Sequence, residues 1–206
     1  MKIGIIGCGN LGLSLVKGIV LNNPDQVVFA SKRNIDELTK LNLPNVHFTT
    51  SNAEVIQQSD IILIALKPYN ILPFLSEFAP LLNPEKHTLI SVATGISTEE
   101  MRATLGKNID LFRAMPNTAA AVNESITAIS FSSDELQRKN DVIELFGNLG
   151  ETVLIDESLM ESATILGACG VAFVFGLKRA IVKGGVEVGF FSATANKNFI
   201  KKIQRH

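Results

Sequence analysis

Short apolar runs alternate with amphipathic stretches along residues 1–156. The runs are rich in Ile, Val and Leu, which predicts buried strands at 2–6, 27–30, 46–49, 60–66, 88–93, 111–115 and 125–130. Between them apolar residues recur at helical spacing, which predicts helices at 13–20, 35–41, 51–58, 71–82, 97–105 and 133–149. Strands that alternate with helices favour a mostly parallel sheet covered on both faces. This α/β unit is predicted to end near Asp156.

The pattern changes at residue 157. Residues 159–188 are apolar on every side through the middle of the segment, with small residues that permit close helix approach. A helix of this kind must be surrounded by protein. Only residues 190–206 follow, with one short basic helix predicted at 193–204, which is too little to enclose it. The favoured interpretation is that a second subunit covers this segment, which predicts a homodimer or higher homo-oligomer. The alternative is that the segment folds back across its own sheet.

Three glycines directly follow the first predicted strand and precede the first predicted helix. They form the pattern Gly7-x-Gly9-x-x-Gly12. In a dinucleotide-binding fingerprint the first glycine makes a tight turn, the second leaves room for a pyrophosphate and the third lets helix and strand pack closely. The helix N-terminus then offers free N–H groups to the phosphates. The fold class predicted is therefore a Rossmann-type, doubly wound, mostly parallel sheet, followed by an incomplete all-helical dimerisation domain.

The end of the second predicted strand indicates which dinucleotide binds. An NAD site usually has Asp or Glu about 20 residues beyond the glycines, where it binds the ribose 2′-hydroxyl. This chain instead has Ser31, Lys32, Arg33 and Asn34 there. A guanidinium fork and a lysine suit a 2′-phosphate, so NADP is the predicted cofactor and NAD a weaker ligand. The alternative interpretation is an ordinary solvated turn.

Composition and charge exclude several classes of protein. A net charge of −1 gives no general attraction to nucleic acid or to an anionic membrane. Two cysteines make no disulfide framework, the first strand leaves no room for a signal peptide, and the uncharged stretch 163–177 is shorter than a membrane span. The three histidines are scattered, so no metal site is predicted. We expect a soluble, cytoplasmic protein.

Several stretches, taken in order, resemble the pyrroline-5-carboxylate reductase family. Apart from residues 6–12, they are Ala-Leu-Lys-Pro at 65–68, Ser-Val-Ala-Thr-Gly-Ile at 91–96 and, most specifically, Met-Pro-Asn-Thr at 115–118, with Val122, Glu124 and Ala128 after it. The resemblance covers about residues 1–195. It implies that NADPH or NADH reduces Δ1-pyrroline-5-carboxylate, a small-molecule substrate, to L-proline, the last step of proline biosynthesis.

The resemblance also implies a set of cofactor contacts but leaves the catalytic residues unknown. Each part of the dinucleotide receives its own group of residues. The pyrophosphate would be held by Ile6, Gly7, Cys8, Gly9, Asn10 and Leu11, the 2′-phosphate by Ser31 and Lys32 beside Arg33, the adenosine side by Asn52, the middle of the cofactor by Ala65, Leu66, Lys67 and Pro68, and the nicotinamide end by Val92, Ala93, Thr94 and Asn117.

Four of the singled-out residues have a second interpretation. Asn117 follows a proline and could simply form a turn. Cys8 lies at a helix N-terminus, where a thiolate is favoured, but a small apolar filler is the preferred interpretation. Cys169 could replace a substrate-contacting serine, but a buried helix-packing residue is the preferred interpretation. Tyr69 could stack near the cofactor or be a surface aromatic.

The chain departs from the family in its last quarter. Residues 167–172 are Gly-Ala-Cys-Gly-Val-Ala where the family usually has Ser-Gly-Ser-Gly-Pro-Ala, and the family's Ser-Pro-Gly-Gly-Thr-Thr substrate loop would lie beyond residue 206. We therefore expect an NADP-binding domain at 1–156 and a truncated helical dimerisation and substrate domain at 157–206. Three functions stay open: a reductase of this family, a non-catalytic NADP-binding remnant of it, or a compact deazaflavin-type NADP reductase.

Overall fold

The computed structural model describes residues 1–132 and 135–203, with the backbone alone at 168, 169, 171, 199, 200, 202 and 203. Within these residues one eight-stranded sheet has the strand order β3-β2-β1-β4-β5-β6-β7-β8. All neighbouring strands are parallel except β6 and β7. The strands are β1 (Ile3–Ile6), β2 (Val28–Ser31), β3 (Val46–Thr49), β4 (Ile61–Ile64), β5 (Thr88–Ser91), β6 (Asp110–Met115), β7 (Ser125–Phe131) and β8 (Gly150–Leu154). The predicted Rossmann-type, mostly parallel sheet is confirmed.

Helices cover both faces of the sheet. Because side chains alternate along a strand, Ile5 of β1 packs into one core with Leu15 and Phe146, whereas the next residue, Ile6, packs into a second core with Ile62 and Leu75. The first core lies under α1 and α6, and the second under α3, α4 and α5. The helices are α1 (Asn10–Asn22), α2 (Asp36–Thr39), α3 (Asn52–Gln58), α4 (Ile71–Phe78), α5 (Thr98–Leu105) and α6 (Leu136–Gly147).

Helix starts follow the capping chemistry. The Ser51 side chain accepts a hydrogen bond from the backbone N–H of Glu54 at 3.2 Å, which makes Ser51 the cap of α3. Ser97 and Glu100 form the predicted capping box at the start of α5. The predicted helix start at 133 lies outside the described residues, and the described part of α6 begins at Leu136.

Several predicted boundaries were wrong. The strand β8 was not predicted, because its first three residues, Gly150, Glu151 and Thr152, are small or polar and only two apolar residues follow them, Val153 and Leu154. The helix predicted at 71–82 ends at Phe78 and continues as a 3₁₀ turn, Ala79–Leu81, since Pro80 cannot donate the next helical hydrogen bond.

One continuous helix follows the sheet. It runs over Glu157–Glu187 and contains α7 (Met160–Ala163), a π-helical stretch (Thr164–Cys169) and α8 (Gly170–Glu187); α9 (Ser192–Ile203) comes after it. We call Glu157–Glu187 the long helix. Contrary to the prediction from the 163–177 stretch, it is long and apolar enough to cross a membrane by length and composition.

The long helix is not buried within a single chain. Its first part lies against β6 and β7, but Leu166 is 84% exposed and Phe173 74% exposed. The alternative in which the chain folds back to cover the helix is therefore not seen among the described residues, and the expected cover by a second subunit stays a prediction. The described chain leaves this apolar surface open to another partner.

Candidate functional site

A cleft of about 670 Å³ opens at the carboxyl edge of the parallel strands. This is where ligands bind in open α/β sheets. We call it the sheet-edge cleft. It brings together Gly7, Gly9, Ser31, Lys32, Arg33, Asn52, Ala65, Leu66 and Lys67, all of them predicted, with Asn34, Thr50, Asn70, Pro73, Phe74, Glu77 and Phe78.

The three glycines have different surroundings. Gly7 has a φ of +93°, and a Cβ there would lie 2.8 Å from the carbonyl oxygen of Ala65. A Cβ on Gly12 would lie 2.5 Å from the carbonyl oxygen of Gly7. A Cβ on Gly9 would have no neighbour within 4 Å among the described residues, so that space belongs to the open cleft. Gly7 and Gly12 are thus required by the fold, whereas Gly9 is required only by something that occupies the cleft.

The N-terminus of α1 begins beside the sheet-edge cleft and has no side-chain cap among the described residues. Gly9 precedes the helix, and no described side chain caps it. The N–H groups of Gly7 and Cys8 both donate to the carbonyl oxygen of Ser31, at 3.1 and 2.7 Å, and so fix the loop against β2. The first helical N–H groups have no partner inside a helix, and together with the helix dipole they favour an anion.

Ser31 organises the corner at the end of β2. Its side chain is buried, and its hydroxyl donates to Oδ1 of Asn52 at 2.7 Å. Because the amide oxygen of Asn52 accepts this bond, its NH₂ group is the end left for a ligand. Lys32 and Arg33 extend beyond the strand and are exposed along the cleft. The corner therefore offers two cations and one oriented amide.

Cys8 is closed off from the cleft. Its side chain is fully buried, and burial raises the pKa of the thiol to about 11 although the charge of Lys32 acts to lower it. A thiol with this pKa stays protonated at neutral pH, which favours the filler interpretation over a redox role. The side chain of Cys169 lies outside the described residues. Tyr69 is 75% exposed and does not line the sheet-edge cleft, which favours the interpretation as a surface aromatic.

The remaining predicted residues lie around the cleft rather than on its wall. Ile6 is buried in the sheet, Asn10 and Leu11 begin α1, and Pro68 starts the 3₁₀ turn Pro68–Asn70. Val92 and Ala93 are buried at the end of β5, and Thr94 is exposed after them. Sequence reasoning missed the α4 residues Pro73, Phe74, Glu77 and Phe78 in the cleft wall. The signal was available, because a helix that follows Lys67-Pro68 so closely must begin at this edge of the sheet.

Asn117 lines a second cleft, of about 650 Å³, which we call the helix cleft. It lies between β6–β8 and the long helix. The Asn117 Oδ1 accepts from the N–H of Ala119 at 2.9 Å and caps the 3₁₀ turn Thr118–Val122, so the turn-forming role is present. The helix cleft is lined by Met115, Asn117, Ala119, Glu124, Ile126, Ala128, Val153, Ile155, Ala163, Leu166, Gly167, Gly170, Val174 and Phe175.

The helix cleft is mostly apolar, and Glu124 supplies the carboxylate in its wall. A π-helical stretch, Thr164–Cys169, forms part of the same wall, and such stretches are frequent at functional sites. Among the described residues, no group of three or more His, Cys, Asp or Glu side chains is arranged to hold a metal ion. The polar and charged groups that could hold a dinucleotide are therefore in the sheet-edge cleft, and the apolar wall is in the helix cleft.

Comparison with known proteins identifies the family. A family model described as NADP oxidoreductase, coenzyme F420-dependent, matches residues 2–95. Pyrroline-5-carboxylate reductase 2 of Dictyostelium discoideum is 34% identical, with 94% of this chain and 71% of that protein covered. The chain belongs to the pyrroline-5-carboxylate reductase family. The expected class, an NADP-dependent oxidoreductase, agrees with both findings.

Other members of the pyrroline-5-carboxylate reductase family extend the likeness. The Plasmodium falciparum pyrroline carboxylate reductase, whose structure has NADP bound, shares the fold with a TM-score of 0.89 at 24% identity, over 99% of this chain and 76% of that chain. Pyrroline-5-carboxylate reductase 1 of Dictyostelium discoideum is 32% identical over 94% of this chain, but the chain spans only 37% of that protein's length.

Proposed function

We propose that this chain binds NADP(H) in the sheet-edge cleft and reduces Δ1-pyrroline-5-carboxylate to L-proline. The observation that carries the proposal is the convergence of Gly9, Lys32 and Arg33 with the uncapped N-terminus of α1 in one cleft. Family membership supplies the substrate. NAD is expected to bind more weakly, because no carboxylate stands at the end of β2 to accept from a ribose 2′-hydroxyl.

The residues of the cleft fit a phosphorylated dinucleotide. The open space at Gly9 and the first turn of α1 would receive the pyrophosphate. Lys32 and Arg33 would bind the 2′-phosphate, and the oriented amide of Asn52 would lie on the adenosine side. Residues 65–68 would contact the middle of the cofactor. Bound NADPH supplies a hydride, and the protein's part is to position the two rings and exclude water.

The nicotinamide end and the substrate would lie toward the helix cleft. Val92 and Ala93 are buried at the end of β5 and would support the ring from behind, with Thr94 beside it. Asn117 holds its amide oxygen in the turn, which leaves its NH₂ group as a fixed donor on the cleft wall. Reduction adds a hydride to the imine carbon and a proton to its nitrogen. We assign no residue as the proton donor.

We also propose that a second copy of the chain covers the long helix, which makes the functional unit a homodimer or larger. The support is the set of exposed apolar side chains on the long helix, since clustered exposed apolar residues mark interaction surfaces. Its members include Ile165, Leu166, Phe173, Phe175 and Leu177. We further propose that the protein is cytoplasmic. Sedimentation of protein prepared without detergent tests both statements. A monomer would contradict the assembly, and recovery only in the membrane fraction would contradict the cytoplasmic location.

The deciding experiment measures NADPH affinity and NADPH-dependent reduction of pyrroline-5-carboxylate on the same purified sample. Gly9→Ala should lose NADPH affinity because its methyl group would occupy the pyrophosphate space. Gly147→Ala is the matched control, since Gly147 ends α6 and a Cβ there also meets open space. Turnover by the wild type supports the reductase. Tight NADPH binding without turnover would instead support the non-catalytic NADP-binding remnant.

The deazaflavin-type reductase has less support. The family model that mentions coenzyme F420 ends at residue 95, so its match concerns the strands and helices that form the sheet-edge cleft. The pyrroline-5-carboxylate reductases match through the helical part as well. Reduction of a deazaflavin by NADPH, measured beside the imine assay, would separate the two.

A further inference from the structure

Glu157, the first residue of the long helix, contacts two separate elements of the sheet. Its Oε1 accepts a hydrogen bond from the backbone N–H of Thr98 at 2.7 Å and from Nη1 of Arg113 at 3.1 Å. Its Oε2 accepts from the hydroxyl of Thr98. Since Thr98 begins α5 and Arg113 lies in β6, one carboxylate joins α5, β6 and the long helix.

The charges at this junction favour a fixed arrangement. Arg113 is only 6% exposed, and its Nε has no hydrogen-bond partner among the described residues. A buried guanidinium without a counter-charge is strongly destabilising, so the pairing holds Glu157 in place. Burial acts to raise the pKa of Glu157, but the hydrogen bonds from Thr98 and Arg113 outweigh it and leave the pKa below its ordinary value. The carboxylate is therefore ionised at neutral pH and also complements the N-terminus of α5.

The junction lies between the parts that hydride transfer must align. Residues 92–97 lead from β5 directly into Thr98, and they carry Val92, Ala93 and Thr94 of the proposed nicotinamide end. On the other side, the long helix continues from Glu157 to the residues that line the helix cleft. The adenosine side of the sheet-edge cleft is built on β2 and α3 instead, which Glu157 does not contact among the described residues.

We propose that Glu157 is a positioning residue that holds the nicotinamide end of the cofactor site against the helix cleft. The inference rests on the proposed function, because it takes residues 92–94 as the nicotinamide end. The carboxylate fixes the loop after β5 relative to the long helix, and its loss loosens that end alone. The adenosine side keeps its own support.

The test is Glu157→Gln beside Glu161→Gln. Glu161 is exposed on the same helix, one turn further along, so the control makes the same change in charge away from the junction. NADPH affinity, followed by the fluorescence of the bound nicotinamide, should fall about tenfold in Glu157→Gln. Affinity for adenosine 2′,5′-bisphosphate, which has no nicotinamide, should stay unchanged. Hydrogen exchange should quicken at residues 92–98.

A second variant leaves the ion pair intact. Because Glu157→Gln deprives buried Arg113 of its counter-charge, that variant can fail to fold. Thr98→Val removes only the hydroxyl that contacts Glu157 and keeps the shape of the side chain. It should change the affinities for the two ligands in the same direction as Glu157→Gln, with NADPH affinity only about threefold lower, because one hydrogen bond to the carboxylate is lost while the ion pair stays.

The outcomes separate the inference from the proposed function. Equal weakening of NADPH and adenosine 2′,5′-bisphosphate, or NADPH affinity in both variants equal to that of Glu161→Gln, would overturn the positioning role while the proposed function stands. If the wild-type protein binds NADPH no more tightly than adenosine 2′,5′-bisphosphate, the nicotinamide half contributes no affinity. That result would overturn both the inference and the proposed function. A selective loss of NADPH with faster exchange at residues 92–98 supports the inference.

Discussion

The sheet region (residues 3–154) and the helical region (residues 157–203) use similar apolar residues with opposite results. In the sheet region Phe112 and Ile64 are fully buried between helices of the same chain. In the helical region Leu166 and Phe173, equally apolar, face outward. The sheet region therefore completes its own core and its own cleft, whereas the described helical region leaves its apolar surface uncovered. Cofactor binding and assembly are expected to respond to different mutations.

The largest effect is expected from Phe112→Ala. Removing a fully buried ring from β6 should lower the free energy of unfolding by about 3–5 kcal/mol, because the lost contacts leave a cavity. The loss should be the same at every protein concentration. Urea unfolding followed by circular dichroism measures it.

Phe173→Ala provides the contrast. If a second copy covers the long helix, this variant should weaken assembly, so that its stability depends more steeply on protein concentration while the sheet region stays folded. Light scattering across a dilution series measures the association. A destabilisation as large as that of Phe112→Ala at all concentrations would show that the chain covers its own helix.

The next effect concerns His87, a buried histidine of the sheet region. Burial, and then the charge of Lys86, lower its pKa from 6.5 to about 4. Between these values the unfolded chain takes up a proton that the folded chain does not. Stability should therefore be unaffected by His87 above pH 7 and should fall by up to about 3 kcal/mol as pH decreases from 6.5 to 4.

His87→Asn should remove this part of the pH dependence. The Nδ1 atom of His87 accepts from the N–H of Asn83 at 3.0 Å, and an asparagine can still offer an acceptor there. His47→Asn is the control, because His47 is exposed and stacks on Phe29. The assignment fails if the free energy of unfolding of His87→Asn falls between pH 6.5 and 4 as steeply as that of the wild type.

The same contrast explains what could be predicted from sequence. The glycine pattern, and the tendency of ligands to bind at the carboxyl ends of parallel strands, predicted that Gly7, Ser31 and Ala65 line one cleft. This prediction needs only the strand order, because the carboxyl ends of parallel strands lie at the same edge of the sheet. The strand β8 was missed because its apolar run is only two residues long, Val153 and Leu154. The exposure of Phe173 within one chain follows from the sequence, because residues 190–206 are too few to enclose the long helix, but composition does not show what covers it.

A smaller effect is expected at the corner of the sheet-edge cleft. Arg33→Ala should lower the affinity for NADPH about tenfold and leave that for NADH unchanged, because only NADPH carries the 2′-phosphate that the guanidinium would bind. Lys40→Ala is a suitable control, since Lys40 is exposed, pairs with Glu37 and does not line the cleft. Titrations with both nucleotides measure the ratio. An equal loss for both would mean that Arg33 acts on the shared part of the cofactor.

The smallest change is expected at Cys8, where the closed core of the sheet region should suppress thiol chemistry. The chain has two cysteines, so Cys169→Ala leaves Cys8 as the one thiol. Burial holds the pKa of Cys8 at about 11, against the lowering effect of Lys32, so about one molecule in a thousand carries a thiolate at pH 8. Iodoacetamide should label the native protein hardly at all and the urea-unfolded protein fully, as read by mass spectrometry. Rapid labelling of the native protein would mean that the loop between β1 and α1 opens. The contrast between a buried sheet region and an exposed long helix would then fail at Cys8.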